Sequence, residues 1–217
     1  VDPLPVPASA ILLDLDRTLV DLQSFTDYAA ALADVRLIVG EWSDADVPDT
    51  DWDRPTQACM SVLHSLLGDD RWHEVSAAIA GHERAAIPRS HPMPTVLESL
   101  DRLAVVPTAV VTLLPVDVAT DALLSNGIGV GPGRAIDVVI GRDPVIRPKP
   151  EPDGVLDACR RLGVEPVGAV MIGDSTWDAG AAHGAQVAFI GVPADAFGSD
   201  QRTVRTFAEA VHLATGE

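Results

Sequence analysis

Hydrophobic positions gather into five short runs rich in β-branched residues, at 10–15, 109–112, 136–140, 167–172 and 187–190. Near-continuous apolar runs of this length suit strands buried on both faces of a parallel sheet. Between them the pattern changes to helical spacing over Pro94 to Leu103, Val116 to Ser125, Asp153 to Leu162 and Thr176 to His183. Pro94 in a first turn and Asp153 directly after Pro152 are helix-start signals, and Gly127 and Gly163 stand where helix C-terminal glycines belong. Strand–helix alternation of this kind predicts an α/β fold with a doubly wound parallel sheet.

One interval breaks the alternation. Some 70 residues separate the first strand from the Pro94 helix and the second strand. Within them Phe25, Tyr28, Leu32, Val35 and Val39 recur at spacings of three and four, which predicts an amphipathic helix. Ser24 is its expected N-cap, with Asp27 in the capping-box position. An acidic stretch from Glu41 to Asp53 reads as a loop, and two more helices are expected near Pro55 to Leu67 and Asp70 to Ala86. The interval therefore reads as a small all-helical domain, residues 21–92, inserted into a core made of 1–20 and 93–217. It would sit over the C-terminal edge of the sheet.

Charge and composition narrow the function. The 47% hydrophobic and 22% charged content is that of a globular chain. A formal net charge of −17 with no basic stripe argues against nucleic acid. The same charge repels anionic ligands, so a phosphate-bearing ligand needs a local cation. The opening residues carry no basic and apolar leader pattern, and the most apolar window, 103–116, is too short to span a bilayer. A cytoplasmic protein with no membrane contact is expected. Cys59 and Cys159, far apart and without metal spacing, read as thiols in a reducing compartment. His64, His73, His82 and His91 recur every nine residues, which on a helix turns successive rings to opposite sides. Trp42, Trp52 and Trp72 read as packing residues of the insertion.

Candidate chemistry begins at Asp14 and Asp16, two carboxylates two residues apart where the first apolar run ends. Strand geometry sends both to one face, where like charges need a cation or a shared proton. Three later features follow other strands: Thr112, Lys149 between Pro148 and Pro150, and Asp174 with Asp178 after Gly173. All of them belong to C-terminal strand ends, where open α/β sheets bind ligands.

With these residues the chain resembles the haloacid dehalogenase superfamily, in its phosphoglycolate phosphatase and β-phosphoglucomutase-like branch. The resemblance runs from Ala10 to about Val192 and rests on Asp14-Leu15-Asp16-Arg17-Thr18, Thr112, Lys149 and Gly173-Asp174-Ser175-Thr176-Trp177-Asp178. It implies a Rossmann-like core with an α-helical cap, and a phosphatase acting on a small phosphorylated metabolite. Asp14 would be the nucleophile and Asp16 the general acid and base. Mg2+ would be held by Asp14, Asp16 through its backbone carbonyl, and Asp174, with Asp178 supporting its water shell or orienting Lys149. Thr112, Leu113 and Lys149 would hold the phosphoryl oxygens.

Two positions depart from the family pattern. Arg17 stands where glycine is usual and is a substrate-contact candidate, although an outward turn toward the acidic cap is favoured. Leu113 stands where many relatives carry a polar residue. A phosphomutase is the nearest alternative activity, and the absence of any cap cluster of basic residues leans toward hydrolysis. The segment from Gln23 to Pro92 has no lysine, which excludes a Schiff-base phosphonate chemistry there. A non-catalytic regulatory member of the fold and a homodimer are further possibilities.

Overall fold

A computed structural model describes residues 7–40, 52–197 and 201–216. Its centre is a five-stranded parallel sheet built from β1 (Ala10–Leu13), β4 (Thr108–Val111), β5 (Val138–Ile140), β6 (Ala169–Gly173) and β7 (Ala188–Gly191). They lie in the order β5-β4-β1-β6-β7. The chain thus builds outward from β1 on one side and then crosses to the other, which leaves the switch point between β1 and β6. Leu12 faces Ala109 on one neighbour and Met171 on the other.

Alternation along each strand explains the two layers of helices. Ile11 and Leu13, with Val110, Val170 and Ile172, pack against α4 (Val96–Leu103), α5 (Val116–Ser125) and α8 (Phe207–Thr215). Ala10 and Leu12, with Ala109, Val111 and Met171, face α6 (Asp153–Leu162) and α7 (Thr176–Gly184). Both faces are apolar, so the strands read as continuous hydrophobic runs in the sequence. The last helix, α8, begins with a capping box on Thr206 and Glu209 and buries Phe207, Ala210, Val211 and Ala214. It was not among the expected elements.

The insertion forms a cap of three helices, α1 (Tyr28–Val39), α2 (Arg54–Ser65) and α3 (Trp72–Ala86). Its entry and exit strands pair as a short antiparallel ribbon, β2 (Val20–Asp21) with β3 (His91–Pro92), also unforeseen. Helix α1 is capped three residues later than expected. Asp27 itself is the N-cap and accepts from the Ala30 N–H, while Ser24 lies in a preceding 3-10 turn. Phe25 packs against the core cluster, and Tyr28, Leu32, Val35 and Val39 fill the cap. Trp72 joins that filling, and Trp52 packs beside it. Trp42 and most of the acidic loop lie outside the described residues. Among the described residues no helix is long and apolar enough to cross a membrane.

One core residue belongs to the cap's apolar cluster. Trp177, only 1% exposed at the start of α7, packs among the cap side chains, and its ring lies 4.9 Å from that of Trp52. The cap is closed down on the core through this contact.

Candidate active site

Strand β1 ends at Leu13, so Asp14 and Asp16 lie just beyond it rather than on one strand face. The Asp14 N–H still donates to the Ile172 carbonyl at 2.9 Å, which prolongs the ladder by one residue and fixes where the carboxylate points. The chain then reverses. Arg17 takes a left-handed conformation, φ 61°, and its N–H donates to the Val20 carbonyl at 2.9 Å. A non-glycine residue there costs about 1–2 kcal/mol, which explains why glycine would suit the position. The turn brings the N–H groups of Leu22 and Gln23 onto Asp16 Oδ1 at 3.0 and 2.9 Å. Asp16 is thereby clamped by the stem of the cap.

Lys149 reaches the same place from the loop after β5. Its ammonium donates to Asp14 Oδ1 at 2.5 Å and to Asp178 Oδ1 at 2.6 Å, with all three side chains buried. Asp178 in turn accepts from the Ser175 hydroxyl at 2.6 Å and from the Ser175 N–H at 3.0 Å, closing a capping box at the start of α7. Gly173 permits this approach. A Cβ built there would lie 2.6 Å from both Cβ and Cγ of Asp178, closer than real atoms come. Asp174, 5% exposed, accepts from Arg17 Nε at 2.7 Å. Arg17 therefore turns in toward the acidic cluster, against the outward orientation expected for a long cation.

Burial dominates the electrostatics. It pushes the Asp14 carboxyl up to about 6 despite the opposing pull of Lys149. It pushes Asp16 up to about 7, with the two backbone N–H groups acting in the other direction. Asp174 is also raised, first by burial and then by Asp14 and Asp178, with Arg17 opposing. Burial pulls the Lys149 ammonium down, but the charges of Asp14 and Asp178 outweigh it and hold it above the ordinary lysine value. Oxygen atoms of Asp14, Asp174 and Asp178 all lie within 4.8 Å of one another. Four carboxylates, counting Asp16, thus meet two cations, Lys149 and Arg17. An all-oxygen donor set with an excess of negative charge fits a hard divalent ion.

Residues 8–186 match the family described as haloacid dehalogenase-like hydrolase. The chain belongs to the haloacid dehalogenase-like hydrolases. It is 32% identical over 169 residues, 76% of each chain, to the validoxylamine A 7'-phosphate phosphatase of Streptomyces hygroscopicus subsp. limoneus. It is 29% identical over 220 residues to the probable phosphatase IndB of Dickeya dadantii, covering 94% of this chain and 92% of that one. Among solved structures, CbbY of Rhodobacter sphaeroides in complex with phosphate superposes with a TM-score of 0.67 at 23% identity, over 93% of this chain and 96% of that one. The chain is a phosphatase of this family.

In this haloacid dehalogenase-like phosphatase, Thr112 and Leu113 follow β4 at the same sheet edge. Thr112 is buried and its hydroxyl accepts from the Leu114 N–H at 3.2 Å. Both line one cavity with Asp14, Asp16, Lys149 and Asp174. Its cap wall carries Tyr28, expected only as an apolar position of the first cap helix, together with Thr56 and Glu83, which were not expected there. Glu83, fully buried, receives Arg142 of the core at 2.7 Å and the Tyr28 hydroxyl at 3.3 Å. One signal could have found it. Trp72, Val75, Ile79, Glu83 and Ala86 recur at spacings of three and four, and a carboxylate within such an apolar stripe calls for a buried partner. The cavity between cap and core is small, about 40 Å3. Lys149 is also the only lysine in the sequence, a simple signal for a cation held in place by function.

Proposed function

We propose that this phosphatase is Mg2+-dependent and hydrolyses a small phosphorylated metabolite through an aspartyl-phosphate on Asp14. The observation that carries this is the convergence of Asp14, Asp16, Lys149 and Asp174 on one buried cavity at the switch point of the sheet. Asp14 is the nucleophile. Its Oδ–P bond forms as the bond from phosphorus to the leaving oxygen breaks, and Asp16 gives its proton to that oxygen. Asp16, then a carboxylate, takes a proton from water as the water oxygen bonds to phosphorus and the bond from phosphorus to Asp14 Oδ breaks, which returns the Asp14 carboxylate. A carboxyl near neutrality at Asp16 suits both tasks. Lys149 and Thr112, with the Leu113 N–H, stabilise the transferring oxygens.

Asp14, Asp174 and the Asp16 backbone carbonyl would hold the magnesium ion, with Asp178 anchoring Lys149. Bound there, the ion supplies charge neutralisation and orientation of the phosphoryl group. Hydrolysis is favoured over mutase chemistry because the cap's Arg36, Arg54, Arg71, Arg84 and Arg89 are all exposed to solvent, away from a place where they could clamp a second phosphate.

The test is magnesium-dependent release of phosphate from p-nitrophenyl phosphate and a panel of sugar, acyl and nucleotide phosphates. It is run beside Asp14→Asn and with mass spectrometry of acid-quenched protein. A phosphorylated wild-type intermediate, absent from the variant together with turnover, is expected. Equal turnover by Asp14→Asn overturns the assignment.

A further inference from the structure

The cavity has one chemically distinctive wall. On the reacting side stand the carboxylates and Lys149, and on the cap side stand Tyr28, Thr56 and Glu83. Lys149 is the one cationic side chain lining it among the described residues, and its ammonium is committed to Asp14 and Asp178. Arg142 lies behind Glu83, with Nη2 donating to Glu83 Oε2 at 2.7 Å and to the Ser76 carbonyl at 3.4 Å. An anionic group on the non-reacting part of a substrate would therefore meet the Glu83 carboxylate with no free cation beside it.

Glu83 is not saturated as an acceptor. It takes three hydrogen bonds, from Tyr28 and from both terminal nitrogens of Arg142. A carboxylate offers about four acceptor positions. The Tyr28 hydroxyl gives its proton to Glu83 and so presents an oxygen that accepts. This wall is built to receive donors.

We infer that the substrate is a phosphate monoester of a hydroxylated alcohol that carries no second anionic group, with Glu83 and Tyr28 accepting from its hydroxyls. The inference rests on the phosphatase reading above and narrows it. It excludes substrates whose remaining part bears a carboxylate or another phosphate, because like charges brought together in a buried site are strongly disfavoured. An ammonium on the alcohol fits the same wall. Arg142 holds Glu83 in position and takes no part in contacting the substrate.

The experiment compares kcat/KM for sorbitol 6-phosphate and 6-phosphogluconate, which share a six-carbon polyol 6-phosphate and differ by a carboxylate. Wild-type enzyme is expected to prefer the neutral polyol by at least about tenfold, the factor for roughly 1.4 kcal/mol. Any smaller ratio overturns the inference. Glu83→Gln removes the negative charge and leaves the Arg142 charge uncompensated behind it, so the ratio should fall at least threefold through KM. A folded Glu83→Gln enzyme with an unchanged ratio overturns the role of Glu83. If that variant does not fold, the wild-type ratio alone decides. The p-nitrophenyl phosphate control separates the two levels. Turnover of it with the wrong preference defeats only this inference, whereas no turnover of any ester defeats the phosphatase mechanism as well.

Discussion

Replacing Lys149 by Met keeps most of the side-chain volume and removes the one charge that holds Asp14 and Asp178 together. Both carboxylates are buried, and each sits within 2.6 Å of the ammonium. Breaking one buried pair by deleting a partner costs about 3–5 kcal/mol. Here two carboxylates lose the same partner, but Asp14 already stands near 6 and can take up a proton, which limits the loss. The expected destabilisation of metal-free protein is thus about 3–5 kcal/mol, or roughly 6–20 °C in Tm for a chain of this size. Total stabilities are about 5–15 kcal/mol, so the loss is a large share. Magnesium should return part of it. Without the ammonium the site carries one more uncompensated negative charge, and a hundredfold gain in affinity would add about 2.7 kcal/mol at saturating ion. Calorimetry of both proteins in EDTA and in millimolar magnesium measures each quantity. The reasoning fails if the variant in EDTA lies within about 1 kcal/mol of wild type, or if magnesium stabilises both proteins equally.

Gly173→Ala should disable catalysis with little change in substrate affinity, because the new methyl must displace Asp178, the anchor of Lys149. Overpacking there should also cost about 1–3 kcal/mol, and urea titration beside kcat and KM checks both. Burial pushes the Cys59 thiol up to about 12. Its alkylation in the folded protein at pH 8 should run about 1,000-fold slower than in the denatured chain, and equal rates would contradict this. The sign for stability follows from the same shift. Above about pH 9 the unfolded chain ionises this thiol while the folded one does not, so its contribution is present below that pH and declines as pH rises toward 12.

The core and its acidic site were legible in the sequence because each piece announces itself locally. A buried strand must be apolar on both faces, and Asp14, Thr112, Lys149 and Asp174 each lie at or beyond the C-terminal end of such a run. The five strands shifted by only one or two residues from their expected bounds. What could not be read depends on contacts distant in the chain. Glu83 and Arg142 are 59 residues apart and make sense only once the cap has closed. The orientation of Arg17 depends on Asp174, 157 residues away, and local preference alone pointed it toward water. Helix α8 was missed for another reason. Val204 to Thr215 is rich in alanine and short, so its apolar face looks weak until Phe207 and Val211 are seen buried against α4 and the sheet.

A single ε-amine in 217 residues makes this chain its own reporter. In the closed molecule that amine is charged, hydrogen-bonded and 5% exposed, so it offers acylating reagents no free nucleophile. Every acylation event at Lys149 therefore records one excursion in which cap and core have separated or the sheet edge has come apart. With a reagent that acylates faster than the site recloses, counting such events over time would give the opening frequency of the enzyme, with no second lysine to confuse the count.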